Sequence, residues 1–423
     1  MLCVMEKIEI ALDGRTTGPI ELADEEFLRA IVWKRSAPKR IRTAAASGDV
    51  EEFLHQWRIS LGQRVRGDAQ GSGVSWSQAG VDVGKRTDDL VALIEVLSES
   101  GRTRGSRKGR RGKSSSGRSR TGNKERLLVN WLEDVRPHGG LSPLEVLALL
   151  EVLGQLDVRL STEALWIVWR RVFEEVIATS AAPAEGDVSS GEFLLAAGEL
   201  PYLAGLLFDG VKGAGKLSKQ GRRVLRDALI EQTDTDGTPD AELVDRLAAW
   251  LAPLIRATAA AKRFETELWN GEDVVRFELL IEVAAAMCAP DGKLALSNGS
   301  CREPLSMLLC GTEYSGMSKS RPARAYLQSI ARRRGGDGET RRGRDKAAIT
   351  PVSQSDWAQL ACMRSDWSRA ADTLVVAHHR VKPWIDLTAG GRRLLSGAWD
   401  LEISIDGTFV ELCDDWECVC WYS

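Results

Sequence analysis

The sequence predicts an α+β multidomain protein in which a long block of helical hairpins precedes an antiparallel β module. Three observations carry that expectation. From about residue 125 to 333, Leu, Val, Ala and Trp recur at three- and four-residue spacing, the period of helices with one buried face. Near the C-terminus the period becomes two: Leu401, Ile403 and Ile405 alternate with Glu402, Ser404 and Asp406, and Asp406-Gly407 supplies a hairpin turn. Two hydrophilic, Arg-rich stretches punctuate the chain and divide the patterned regions.

Taken in order, residues 1–100 form a mixed, mainly helical region. "FLRAIVW", "VEEFLHQWRISL" and "TDDLVALIEVLSES" have helical spacing, whereas "GDAQGSGVSWSQAG" is loop-like. Residues 101–124 follow, where ten of 24 residues are Lys or Arg and none is acidic, apolar or aromatic. Such a stretch has nothing to bury, so a disordered basic linker is expected. Its cations could neutralise phosphates. Without interleaved aromatics to stack on bases, a nucleic-acid partner is not the reading taken.

The helical domain spans 125–333, with about eight to ten helices. Its starts are written locally: Ser142-Pro143-Leu144-Glu145 joins a capping Ser, a Pro at the first helical position and a Glu three residues after the cap. Ser189-Ser190-Gly191-Glu192 repeats the box, and Thr238-Pro239 opens "TPDAELVDRLAAWLAPLIRATAAA". A second linker occupies 334–350. Residues 351–423 then read as a β module of about six antiparallel strands, holding six of the fourteen tryptophans in its last 67 residues.

Composition bounds the function classes. The chain has 423 residues, 43% of them hydrophobic, enough for substantial cores. Fifty-seven basic and sixty acidic side chains leave a formal charge of −3, so no global field selects a polyanionic partner or a membrane surface. The first ten residues carry Glu6, Lys7 and Glu9, unlike a secretory leader, and no later run has the ~18 uncharged apolar residues of a membrane span. A cytoplasmic protein is expected, its eight cysteines reduced and mostly small core residues.

Four motifs invite chemistry. "GVKGAGKLS" (210–218) matches a phosphate loop at Gly210, Gly215 and Lys216, but Leu217 replaces the metal-binding hydroxyl and a helix, not a strand, precedes it. A glycine turn between helices is expected instead. "TDTDGTPD" offers Asp234, Asp236 and Asp240, yet Gly237 comes too early and no Glu closes a calcium loop, so it reads as a capped turn. Cys413, Cys418 and Cys420 lack the partners of a zinc site. His378 and His379 end an apolar run and, as strand neighbours, would face opposite sides, one capping the core and one meeting solvent. No metal and no cofactor is expected.

Three stretches together resemble the heparinase II/III and alginate-lyase type of polysaccharide lyase. Residues 200–255, "LPYLAGLLFDG…LAPLI", are similar to paired helices joined through an Asp-Gly turn. "RFELLIEVAAAMCAPDGKLALSNGS" resembles the next pair, and "DWAQLACMRSDWSRAADTLVVAHH" resembles the passage into the family's β module. The resemblance implies an incomplete (α/α) toroid followed by a β-sandwich, and an acidic polysaccharide as partner. It also implies uronate β-elimination, which needs a base for the C–H proton and a group neutralising the carboxylate.

Carried over, these roles fall on Tyr202 as base, with Glu199, His378 and His379 as further catalytic candidates and Arg222 or Arg223 binding substrate. The chain departs from the family where an Asn-His or His-His pair is usual, reading Glu199-Leu200-Pro201-Tyr202, and where H-x-H-x-D is usual, reading "HHRVKPWIDL". Two functions therefore stand side by side. One is a lyase-like glycan binder; the other is a non-enzymatic scaffold whose basic linkers and terminal strand (416–422) hold a protein partner or a second copy.

Overall fold

A computed structural model describes residues 22–65, 84–105, 117–135, 140–155, 160–180, 186–297, 304–317, 321–334, 352–380, 382–398, 403–405 and 408–410. Two compact units emerge. The first comprises Met1–Ser72, Asp82–Leu225 and Ala259–Leu268, and the second Gly73–Val81, Arg226–Thr258 and Trp269–Ser423. The division does not follow the change of periodicity near residue 350: several helices of the expected toroid share a unit with the sheet.

In the first unit, α1 (Asp24–Ala30), α2 (Lys39–Ser47) and α3 (Val50–Arg64) come from the N-terminal region. They meet α7 (Thr162–Ser180) in an aromatic core. Trp169 stacks on Trp166 and Phe173 at 5.6 and 5.1 Å between ring centroids, while Phe53 meets Trp169 edge-on at 5.2 Å and Phe27 meets Phe173 at 6.0 Å. Each such ring removes ~150–250 Å² from water, so this cluster dominates the unit's burial.

Beside it lie α4 (Lys85–Gly105), α5 (Gly117–Val135) and α6 (Pro143–Gly154). Helix α6 carries the expected Ser142–Glu145 capping box and is buried from Leu144 to Gly154. Helices α4 and α5 correct one expectation: they reach Gly105 and begin at Gly117, so both ends of the basic stretch 101–124 are helical. Residues 106–116 lie outside the described ones, as do 335–351 of the second linker.

A helical turn at Gly191–Phe193, capped by Ser190, passes into a π-helical segment, Leu194–Glu199, and then into α8 (Leu200–Leu207). The chain turns through Asp209–Gly213, where Gly213 has φ +97°, into α9 (Ala214–Glu231). The phosphate-loop look-alike is thus the turn the sequence predicts. Backbone bonds from Lys34 N–H to the Gly210 carbonyl and from Lys212 N–H to the Val32 carbonyl tie this turn to the N-terminal segment.

The second unit holds most of α10 (Leu247–Arg263), with α11 (Gly271–Ala286), α12 (Pro304–Tyr314) and α13 (Pro322–Arg334). It also contains one antiparallel sheet in chain order: β1 (Val352–Ser355), β2 (Leu360–Arg364), β3 (Thr373–Ala377), β4 (Trp384–Ala389) and β5 (Arg392–Ala398). A short hairpin, β6 (Ile403–Ile405) with β7 (Thr408–Val410), follows the period-two pattern. Strand β2 packs on α11, and β3 alternates buried with half-buried residues, as a strand with one covered face should. Residues 411–423, which include the cysteine triplet and the expected edge 416–422, lie outside the described residues.

The second unit encloses Arg364, 2% exposed. Its guanidinium lies 3.9 Å from the Tyr326 ring centroid and donates to the Asp366 and Ser368 carbonyls at 2.7 Å and to Thr373 Oγ1 at 3.3 Å. Carbonyls and a ring face thus replace water around a buried cation.

Candidate functional site

The predicted site residues fall into both units. Tyr202, Glu199 and Arg222 belong to the first. Tyr202 is 3% exposed on α8, and its hydroxyl lies 3.2 Å from Thr266 Oγ1. Burial pushes its phenol above the ordinary value, against the lowering influence of the Thr266 bond and of Arg222. Arg222 is half-buried on α9 and donates through Nε to the Leu268 carbonyl at 2.8 Å. Glu199 is buried at the end of the π-helical segment. Arg223, next along α9, is exposed and does not join them.

Close helix packing builds this group. A Cβ on Gly221 of α9 would lie 2.6 Å from Tyr202 N and 2.9 Å from Tyr202 Cβ, so only glycine lets α9 approach the start of α8. The consequence for chemistry is burial: the Tyr202 hydroxyl is a hydrogen-bonding group of the packed interior.

His378 and His379 belong to the second unit. Strand β3 stops at Ala377, and both imidazoles lie beyond it, correcting the expectation of a strand running through them. His378 N–H continues the ladder to the Gln359 carbonyl at 2.9 Å. Both rings are half-buried, so the expected split between a core-facing and a solvent-facing imidazole does not hold. Burial lowers the pKa of each; Asp356 opposes this at His378, and at His379 Arg380 adds to it while Glu242, Asp240 and Asp245 oppose it. Among the described residues no group of three or more His, Cys, Asp or Glu side chains is placed to hold a metal ion. No described helix is long and apolar enough to cross a membrane.

Sequence reasoning missed a cleft of about 260 Å³ in the first unit, lined by Trp33, Trp57, Ser60, Gln63, Arg64 and Asp209 among others. Arg64, at the end of α3, donates to the Leu206 carbonyl and lies 5.6 Å from the Phe264 ring centroid. Burial lowers its pKa, with the Asp209 charge opposing. Asp209 itself pairs with Lys34 at 2.8 Å. The signal that could have found the site is "WKRSAPKRIR" (33–42), which has five cations, one aromatic and no acid.

No protein-family model matches this sequence, and no curated protein matches it. Solved structures do. The chain is similar to a mutant of the heparan sulfate lyase HepC from Pedobacter heparinus, with a TM-score of 0.54 and 14% identity over 88% of this chain and 65% of that one. It is similar to heparinase III with a TM-score of 0.56 and 14% identity, over 88% of this chain and 66% of that one.

The fold is distantly heparinase-like. A helical block with an antiparallel sheet is common to both, so the heparinase-like reading of the architecture holds at that coarse level. At 14% identity the likeness concerns fold alone. The chain spans 65–66% of the length of these heparinases.

Proposed function

We propose that this chain is a divergent heparinase-like protein that recognises an acidic polysaccharide, and that Tyr202 does not make it a lyase. The likeness to a heparan sulfate lyase supports an acidic glycan as the ligand class. The observation that separates recognition from cleavage is the state of Tyr202, 3% exposed, bonded to Thr266 and with its pKa raised. A general base must reach the substrate proton and have a pKa near the working pH. A buried phenol held above its ordinary value meets neither requirement, and Glu199, equally buried, offers a negative charge where a uronate needs a positive one.

The test combines calorimetry with an elimination assay on heparan sulfate, chondroitin sulfate and alginate. Binding without formation of the ultraviolet-absorbing unsaturated uronate is expected. Product that disappears in Tyr202→Phe would overturn the reading and make the chain a lyase.

A further inference from the structure

The segment linking α1 to α2 concentrates charge that the first unit does not neutralise. Arg35, Lys39 and Arg40 are all exposed, and they flank the mouth of the Arg64 cleft, whose wall includes Ser36, Ala37, Pro38 and Ile41 from the same segment. Lys34 is occupied by Asp209. Inside, Arg64 is a partly buried guanidinium with no carboxylate within ion-pairing distance among the described residues, although guanidinium geometry suits a bidentate oxyanion. Trp33 and Trp57 supply indole surface to the same wall, and Trp33 Nε1 is a buried donor without an acceptor. Cationic rim, unpaired interior guanidinium and indole wall are three separate features in one place.

We propose that this cleft and its rim form a docking site for an acidic polysaccharide: Arg64 takes one carboxylate or sulfate, the indoles lie against a sugar ring, and Arg35, Lys39 and Arg40 follow neighbouring anionic groups. The proposal rests on the acidic-glycan reading above and adds the place where the glycan binds. Sugar rings present apolar C–H faces that complement indole, and a cleft of about 260 Å³ admits roughly one ring rather than a chain segment. The remaining residues of the polymer would then lie along the exposed cations, giving a salt-dependent contribution.

The experiment measures binding of a size-defined heparan sulfate hexasaccharide by calorimetry at two salt concentrations. The full chain is compared with an Arg35→Ser/Lys39→Ser/Arg40→Ser variant, with Arg64→Met and with Ser60→Phe. The triple variant changes only exposed side chains and should weaken binding at least tenfold at low salt, with a shallower salt dependence. Arg64→Met should weaken it at least tenfold at both salt concentrations. Ser60→Phe fills the cleft while leaving the guanidinium in place, and so reports on the cleft even if Arg64→Met fails to fold.

If the folded wild-type chain binds the hexasaccharide and all three variants bind equally, the site is wrong while the glycan reading stands. If the wild-type chain binds no acidic polysaccharide, both fall. If single-stranded DNA binds as tightly and is lost in the same variants, the surface recognises polyanions generally and the saccharide assignment is overturned.

Discussion

Arg86 of α4 holds the fully buried carboxylate of Glu145 on α6 through two hydrogen bonds, Nε to Oε1 at 2.8 Å and Nη2 to Oε2 at 2.6 Å. The same carboxylate accepts from Thr87 Oγ1 and from the Ser142 N–H that it caps. Burial alone would raise the Glu145 pKa, but Arg86, Ser142 and Thr87 together bring it below the ordinary value. Glu145→Gln leaves Arg86 without its anion and should cost about 2 kcal/mol, discounted because Arg86 is 41% exposed. Because the folded pKa is depressed, the wild-type contribution is present above the ordinary carboxylate range and is lost as pH falls through the folded value. Urea melts at neutral and acid pH should show the variant closer to wild type in acid; a gap independent of pH would refute the linkage.

The histidine pair gives the same sign at higher pH. Both imidazoles have folded pKa values below the ordinary 6.5, so the unfolded chain takes up protons first. Stability should fall as pH drops below about 6.5 and level off below the folded values. A His378→Gln/His379→Gln variant should lose part of that slope between about pH 7 and 5. An unchanged slope would show that other groups carry it.

Gly221→Ala tests the close approach of α9 to α8. The added methyl would fall 2.6 Å from Tyr202 N, a backbone atom that cannot step aside alone, so α9 must shift. A loss of about 2–3 kcal/mol is expected from thermal or urea melts. Gain from the better helix former would be only about 1 kcal/mol, so a stabilised variant would contradict the packing.

Arg364→Lys tests whether a point charge can replace the buried guanidinium. Lysine cannot serve the Asp366 and Ser368 carbonyls and Thr373 in one plane while lying over Tyr326. The expected cost is about 3 kcal/mol, read as a lower urea midpoint. Tyr326, whose pKa burial raises to about 12, should then titrate differently by ultraviolet absorbance at alkaline pH. A Tyr326 titration identical to wild type would argue against the stacked contact.

What could be read from the sequence was what neighbours in the chain decide. The Ser142–Glu145 box closes within one turn, Gly213 supplies the positive φ its turn needs, and the period-two run before residue 410 becomes a hairpin. The N-terminal region resisted because its meaning is remote: Phe53 and Trp57 show no helical stripe of their own, and find Trp169 more than a hundred residues away. The site divides in the same way. Tyr202, Glu199 and Arg222 share adjoining helices, and their grouping follows from the hairpin. That Tyr202 is interior depends on the glycine at 221 and on Thr266, beyond the reach of local pattern.

The π-helical segment Leu194–Glu199 has a consequence for how this helix could change over time. Such a turn accommodates one residue more than regular winding would. One residue is worth about 100° of rotation, so removing any one of the six would swing Tyr202 and Leu206 together toward another neighbour. The interior tyrosine and the carbonyl that anchors Arg64 are geared to the same inserted residue: a single codon deletion would rotate both at once, and a single insertion would restore them.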